Sequence, residues 1–541
     1  MKPKSCGITS KARGETMRRA ILATVLAISS SGAFSTGALA QNLTVATGAP
    51  PTSVDPHFYN AAPNFALSMH IFDRLVERDA EVTPYPGLAE SWEAVSPTIW
   101  EFKLRQGVTW HDGRPFTAED VAFSVARPPL VPNSPASFSP FVRAIQRTEI
   151  VDAHTVRFHT ARPHPLLPVE LGSIAIVAKH AVEGRGTEDF NALRAAIGTG
   201  PYRITGATPG DRFELARNDA WHGPRQPWER VTYRIIANDT SRVSALLAGD
   251  VDVIDQVPST DLVRLRRDNR VAIAEVQGLR LIFIAPDRSR RGNLPFVTDN
   301  DGRPLEKNPF DDVRVRRALN ISVNRDALVE RVMEGAAAPA GQWMPAGTTT
   351  HAPDVPVPTF DMEAARRLLA EAGFPDGFRM TLFTPNDRYP NDARTAQAVA
   401  QMWSRIGVRT AVEAVPWTSY SARAARQEFP IRLAGWGSST GEAGSVLISV
   451  IGTFDRAAQR GAANSARYSN PELDALTDRA ATLLRLEDRA AVLRQAIKLA
   501  TDDVAMIPLF NISNSWATRR GLVHEPRMDE RTVAMGTRPA P

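Results

Sequence analysis

The hydrophobic period of the chain changes several times, and each change marks an element. Behind Gln41, LTVATG alternates apolar and polar positions as a half-buried strand does, and TSVDPHFYN then breaks the alternation with a proline. In WEFKLRQGVTWHDG, Trp100, Phe102 and Leu104 share one face, Gly107 permits a turn, and Val108 and Trp110 resume the period, which predicts a hairpin or meander. Thr117-Ala-Glu-Asp120 then caps a helix carrying Val121 and Val125, and Pro128, Pro129, Pro132 and Pro135 must stop it.

The later half is more regular. In FDMEAARRLLAEAGF, Asp361 predicts an N-cap and Gly373 a stop, with Met362, Ala365, Leu368, Leu369 and Ala372 on one stripe. Asp392 starts a second helix that buries Ala396, Val399, Trp403 and Ile406 and ends at Gly407, after which Val408 to Val415 alternate as a strand. Asn470-Pro471 opens a further helix, since proline in a first turn needs no donor. Helix-to-strand punctuation of this kind belongs to an α/β layer. The stretches Pro286 to Phe310 and Trp343 to Thr359 read as connectors.

The first forty residues follow another logic. Arg18 and Arg19 precede an apolar run from Ala20 to Ile28, and small residues lead to Ala38-Leu39-Ala40, a cleavage pattern before Gln41. They also carry the excess charge: six basic residues against Glu15 account for the whole formal net charge of +5, so the mature chain is near neutral. With no clustered basic face, nucleic-acid binding loses its support. Cys6, the only cysteine, lies in this leader too, so the mature protein is expected to lack disulfides and a lipid anchor. About 500 residues at roughly 150 per domain predict about three structural units.

Several stretches in order, PYPGLAESWE with WEFKLRQGVTWHDGRPFTAEDVAFS, GTGPYRI, ALLAGDVDVI, PFDDVRVRRALNISVNRDALV and ARYSNPELDAL, resemble the extracellular solute-binding proteins of family 5. Those are periplasmic receptors of peptide and nickel importers of the ABC class. The resemblance implies an α/β, two-lobed periplasmic binding protein (type II, cluster C-like) with an additional domain on the first lobe. By that analogy residues 1–40 are a signal peptide, 41–72, 198–285 and 511–541 form lobe I, 73–197 the extra domain, and 286–510 lobe II. The expected protein is a periplasmic monomer, without cofactor or metal, that binds a peptide or peptide-like solute and docks on an inner-membrane ABC permease.

Site residues follow from the same resemblance. Trp436 matches a tryptophan whose following loop, in peptide receptors, supplies an acid for the ligand's amino group, but Ser439 stands at the acid's place. Ser438, Ser439 and Thr440 would then meet a neutral or blocked amine, with Glu442 a possible replacement acid. Arg388, in NDRYPNDAR, matches the arginine that binds the ligand carboxylate, for which a guanidinium offers two parallel donors. Tyr59, Asn60, Trp417 and Tyr420 complete the set. A sugar or a metal complex remains an alternative ligand within the family.

Two further patterns invite enzyme readings. Gly437 to Gly441 matches G-x-S-x-G between a strand and an apolar segment, and Asp455 or Asp474 with His524 would supply a triad in chain order, yet no HGGG-type segment precedes it. His111 and Asp112 in WHDG are a conceivable metal pair, but adjacent strand residues point to opposite faces, so a turn is expected.

Overall fold

Two long strands, Val271–Pro286 and Ile507–Arg519, run antiparallel through the middle of the molecule and belong to both of its halves. The computed structural model describes residues 42–541 apart from 439 and 459, so the leader and Ser439 lie outside the described residues. One 12-stranded sheet carries the architecture. On one side of the crossing pair, Val253–Asp255 joins Ile507–Arg519 and is followed by Asn42–Thr47, Arg230–Ile235, Arg212–Arg217 and Tyr202–Thr208. On the other, Ile431–Gly437 joins Val271–Pro286 and is followed by Phe378–Pro385, which also pairs with Val408–Val415. These wings are the sheets of lobe I and lobe II.

The crossing strands alternate as the pattern of a doubly covered sheet requires. Ile282 and Ile284 pack with Leu382, Trp403 and Phe310 on one face, whereas Leu281 and Phe283 pack with Trp343, Val446 and Leu493 on the other. Where the pair passes between the lobes its register shifts, between Gln277 and Leu281 and again between Ile282 and Phe283. Gly278 sits in the first irregularity, and a Cβ there would lie 2.7 Å from the Ile512 carbonyl oxygen. The close approach requires glycine.

Lobe II follows the sequence closely. Helix Met362–Glu371 is capped by Asp361, which accepts from the Ala364 N–H at 2.8 Å, and buries Ala365 and Leu369. Helix Asp392–Ser404 buries Ala396, Val399 and Trp403, and the Trp403 indole donates to Leu319 O at 2.9 Å. Helix Pro471–Ala480 begins at Asn470, whose side chain accepts from the N–H groups of Glu472 and Leu473.

Beside lobe I stands a separate four-stranded antiparallel sheet in the order Ala89–Ser96, Ile99–Leu104, Thr155–Thr160, Ile145–Asp152. Here the hairpin expected from the sequence differs: Ile99–Leu104 pairs with the segments before it and far after it, while Thr109 makes only an isolated bridge to Pro115. Gly107 does turn the chain, at φ 75°, but Trp110 is drawn into the core against Phe116 instead of returning along the strand. Trp100, Phe102 and Phe158 of this sheet share a continuous core with Leu43, Val45 and Tyr202 of lobe I.

Candidate functional site

Parallel strands end together, and in both lobes they end toward the same space. In lobe I, Asn42–Thr47 runs parallel to Arg230–Ile235 and to Val253–Asp255; in lobe II, Phe378–Pro385 runs parallel to Val408–Val415 and to Ile431–Gly437. The crevice beyond the carboxyl ends of such strands is where open α/β sheets bind ligands. A cavity of about 570 Å³ occupies it, a volume suited to a small solute. Asp239 and 255–260 wall it from lobe I, Met333 and 388–391 from lobe II, and Arg280, 512–516 and Glu530 close it at the crossing strands.

The backbone of this wall is strained. Gln256, Asn391 and Glu530 all have positive φ, at 46°, 55° and 60°. Asparagine tolerates the left-handed region, but glutamine and glutamate pay about 1–3 kcal/mol there, and such residues gather at ligand clamps.

Arg388 projects from the turn after Phe378–Pro385. The Asp392 carboxylate fixes that turn by accepting from the N–H groups of Arg388 and Tyr389 at 3.2 and 3.1 Å. The guanidinium lies over two aromatic faces, 5.2 Å from the Tyr389 ring and 5.4 Å from that of Trp417, and among the described residues it forms no ion pair with a carboxylate. Tyr389 is itself held, its hydroxyl donating to Gly435 O at 3.1 Å. The result is a positioned cation, weakly solvated on its aromatic side, facing a cavity.

Across the cavity Asp255 ends its strand with a buried side chain. Its carboxylate accepts from the Gly48 N–H at 3.0 Å and the Thr532 hydroxyl at 3.4 Å, and lies 3.7 Å from Arg242 Nε. Burial outweighs these partners and pushes its pKa up from 3.8 to about 6.

The remaining expected residues have other surroundings. Trp436, 37% exposed, sits at the end of its strand opposite Leu281, one pair from the Gly437–Arg280 pair whose arginine lines the cavity. Trp417 is half-buried, stacked on Tyr420 and edge-on to Tyr389. Tyr420 is fully buried, with its hydroxyl donating to Leu433 O and burial pushing its pKa up to about 12. Ser438 is buried and donates to Glu442 O at 2.8 Å, and Thr440 is buried, its hydroxyl accepting from the Glu442 N–H at 3.4 Å. Glu442 is also buried and bonded to Arg489 through both oxygens, at 2.6 and 3.1 Å, so its carboxylate is engaged within lobe II. Tyr59 bridges to Ala136 of the segment beside the small sheet, and the exposed Asn60 donates to the same residue's carbonyl. The cavity thus brings together Arg388 with Asp255, Asp239, Arg280 and Glu530, four groups the sequence reading did not name.

The residues of the enzyme readings are engaged elsewhere. His524 shares a hydrogen bond with the Thr537 hydroxyl and packs on Trp516, Asp474 accepts from Thr453 N–H beside Arg460, and Asp455 accepts within its own turn. His111 meets Gly200 O and Gly198 N–H, whereas Asp112 meets His180.

The model of the bacterial extracellular solute-binding proteins, family 5, middle region, matches residues 83–457. Heme-binding protein A of Haemophilus influenzae is 29% identical to this chain over 487 residues, spanning 85% of it and 84% of that protein. The dipeptide-binding protein of Escherichia coli is 28% identical over 430 residues, spanning 74% and 77%. Among solved structures, HbpA2 from Haemophilus parasuis matches with a TM-score of 0.80 at 24% identity, covering 92% of this chain and 100% of that one. A two-winged sheet joined by crossing strands around one cavity, and a family match running through both wings, lead to one conclusion: the chain belongs to the bacterial extracellular solute-binding proteins of family 5.

Proposed function

We propose that this protein is the periplasmic, monomeric receptor of an ABC importer, capturing a peptide or peptide-like solute that bears a carboxylate and delivering it to an inner-membrane permease. The observation that carries this reading is Arg388, a guanidinium clasped by two aromatic rings at the cavity wall without a carboxylate partner among the described residues. A carboxylate offers it two parallel acceptors. Contacts from both lobes to one solute favour the state in which the lobes are together, and that difference in affinity is the mechanism of capture. Dipeptide and haem, the ligands in the names of two relatives, both carry carboxylates.

Isothermal titration with a panel of dipeptides, glutathione and haem tests the proposal. A binder should lose about tenfold to a hundredfold in affinity in Arg388→Ala, as removal of a charged hydrogen bond predicts. Unchanged affinity for a binder in that variant would remove Arg388 and the carboxylate reading with it.

A further inference from the structure

The cavity holds an anion and a cation on opposite lobes, and neither is fully matched by the protein. Asp255 is buried on the lobe I wall. Its nearest arginine is occupied elsewhere: Arg242 donates to the carbonyls of Asp255, Ile236 and Gln256 at 3.2, 2.8 and 3.1 Å and to the Asp239 carboxylate at 2.8 Å, leaving the Asp255 carboxylate at 3.7 Å. Hydrogen bonds from one N–H and one hydroxyl leave lone pairs of Asp255 unused. A buried carboxylate in that condition is costly to keep charged, and burial has already moved its pKa up. A cationic partner entering the cavity would relieve that cost.

We propose that Asp255 receives the ammonium group of the captured solute, as the lobe I counterpart of Arg388 on lobe II. This rests on the reading that the cavity is the solute site, and it narrows the solute class to zwitterions. Because the two anchors lie on different lobes, a solute with one charged end satisfies only one lobe. A zwitterion satisfies both, so only it gains the full advantage of the closed arrangement. Selection of the amine thus comes from lobe I and not from the loop after Trp436, where Glu442 is already paired with Arg489.

The test uses the dipeptide Ala-Phe and N-acetyl-Ala-Phe with wild type, Asp255→Asn and Arg388→Ala, by titration calorimetry at pH 7.5. Wild type should prefer the free amine by about thirtyfold or more, the effect expected when one partner of a desolvated charge pair is removed. Asp255→Asn should bind both compounds at the level wild type shows for the acetylated one, and Arg388→Ala should weaken both while keeping a preference for the free amine. Wild-type binding of Ala-Phe to Asp255→Asn, with Arg388→Ala weakened, would overturn the role of Asp255 and leave the carboxylate reading standing. Unweakened binding by Arg388→Ala would overturn that reading instead. The wild-type comparison needs no variant to fold: equal affinity for the two compounds, or no binding of Ala-Phe, overturns the proposal.

Discussion

Glu442 and Asp255 are both buried carboxylates beside an arginine, one in each lobe, and they are held in opposite ways. Glu442 takes two direct bonds from Arg489, at 2.6 and 3.1 Å, and both partners are buried in the core of lobe II. Asp255 stands 3.7 Å from an arginine committed to carbonyls and to Asp239, and it is one of the residues lining the cavity. Desolvation acts on both, but the first is offset inside the protein and the second is left for something that enters. If the proposal holds, the comparison separates a carboxylate paired inside lobe II from one that receives a solute.

Breaking the Glu442 pair should have the largest effect. Arg489→Ala leaves the buried Glu442 carboxylate uncompensated, and removal of one partner from a buried pair costs about 3–5 kcal/mol. Thermal denaturation at pH 7.5 should show a large loss in this variant. An unchanged midpoint would mean that the loop after Trp436 is held by its Ser438 and Thr440 hydrogen bonds alone.

Asp255 should behave in the reverse sense. Its folded pKa is raised from 3.8 to about 6, so between those values the native protein keeps a proton that the unfolded chain has released. Stability therefore falls as pH rises through that window. At 1.36 kcal/mol per unit, the unliganded Asp255→Asn variant should exceed wild type by about 1–3 kcal/mol at pH 7.5, with the gain shrinking toward pH 4. A loss of stability at pH 7.5 would show that Arg242 needs the charge and that Asp255 is structural, like Glu442.

The contrast also marks how far the sequence could be read. Helices and strands of lobe II were legible because their apolar positions keep one period and their caps are local: Asp361 and Asn470 lie within three residues of the N–H groups they satisfy. Arg388 was singled out through resemblance alone, and it lines the cavity from a turn whose support, Asp392, is four residues away. Asp255 was not, because its meaning depends on Gly48, Arg242 and Thr532, which the fold brings together from far apart. In VDVIDQV it reads only as a polar residue closing a strand. The positive φ of Gln256 and Glu530, and the crossing of two strands between lobes, leave no periodic trace. The partner of Ile99–Leu104 was missed for a related reason, since the following segment has strand periodicity but buries Trp110 locally.

The smallest predicted effect separates the aromatic residues that the sequence grouped together. Tyr420 and Trp417 stack at 5.8 Å, yet only Trp417 is half-exposed beneath the Arg388 cation; Tyr420 lies behind it against Phe429, at 5.1 Å. Tyr420→Phe keeps the ring and removes one hydrogen bond to Leu433 O, which should cost about 1 kcal/mol of stability. Affinity for any solute that binds wild type should stay within about twofold, because the hydroxyl points into the core and the stack under Arg388 remains. Calorimetry and thermal denaturation on the same preparation distinguish the outcomes. Weakened binding with an unchanged melting temperature would put the Tyr420 hydroxyl in the site, and would mean that the aromatic cluster opens when solute enters.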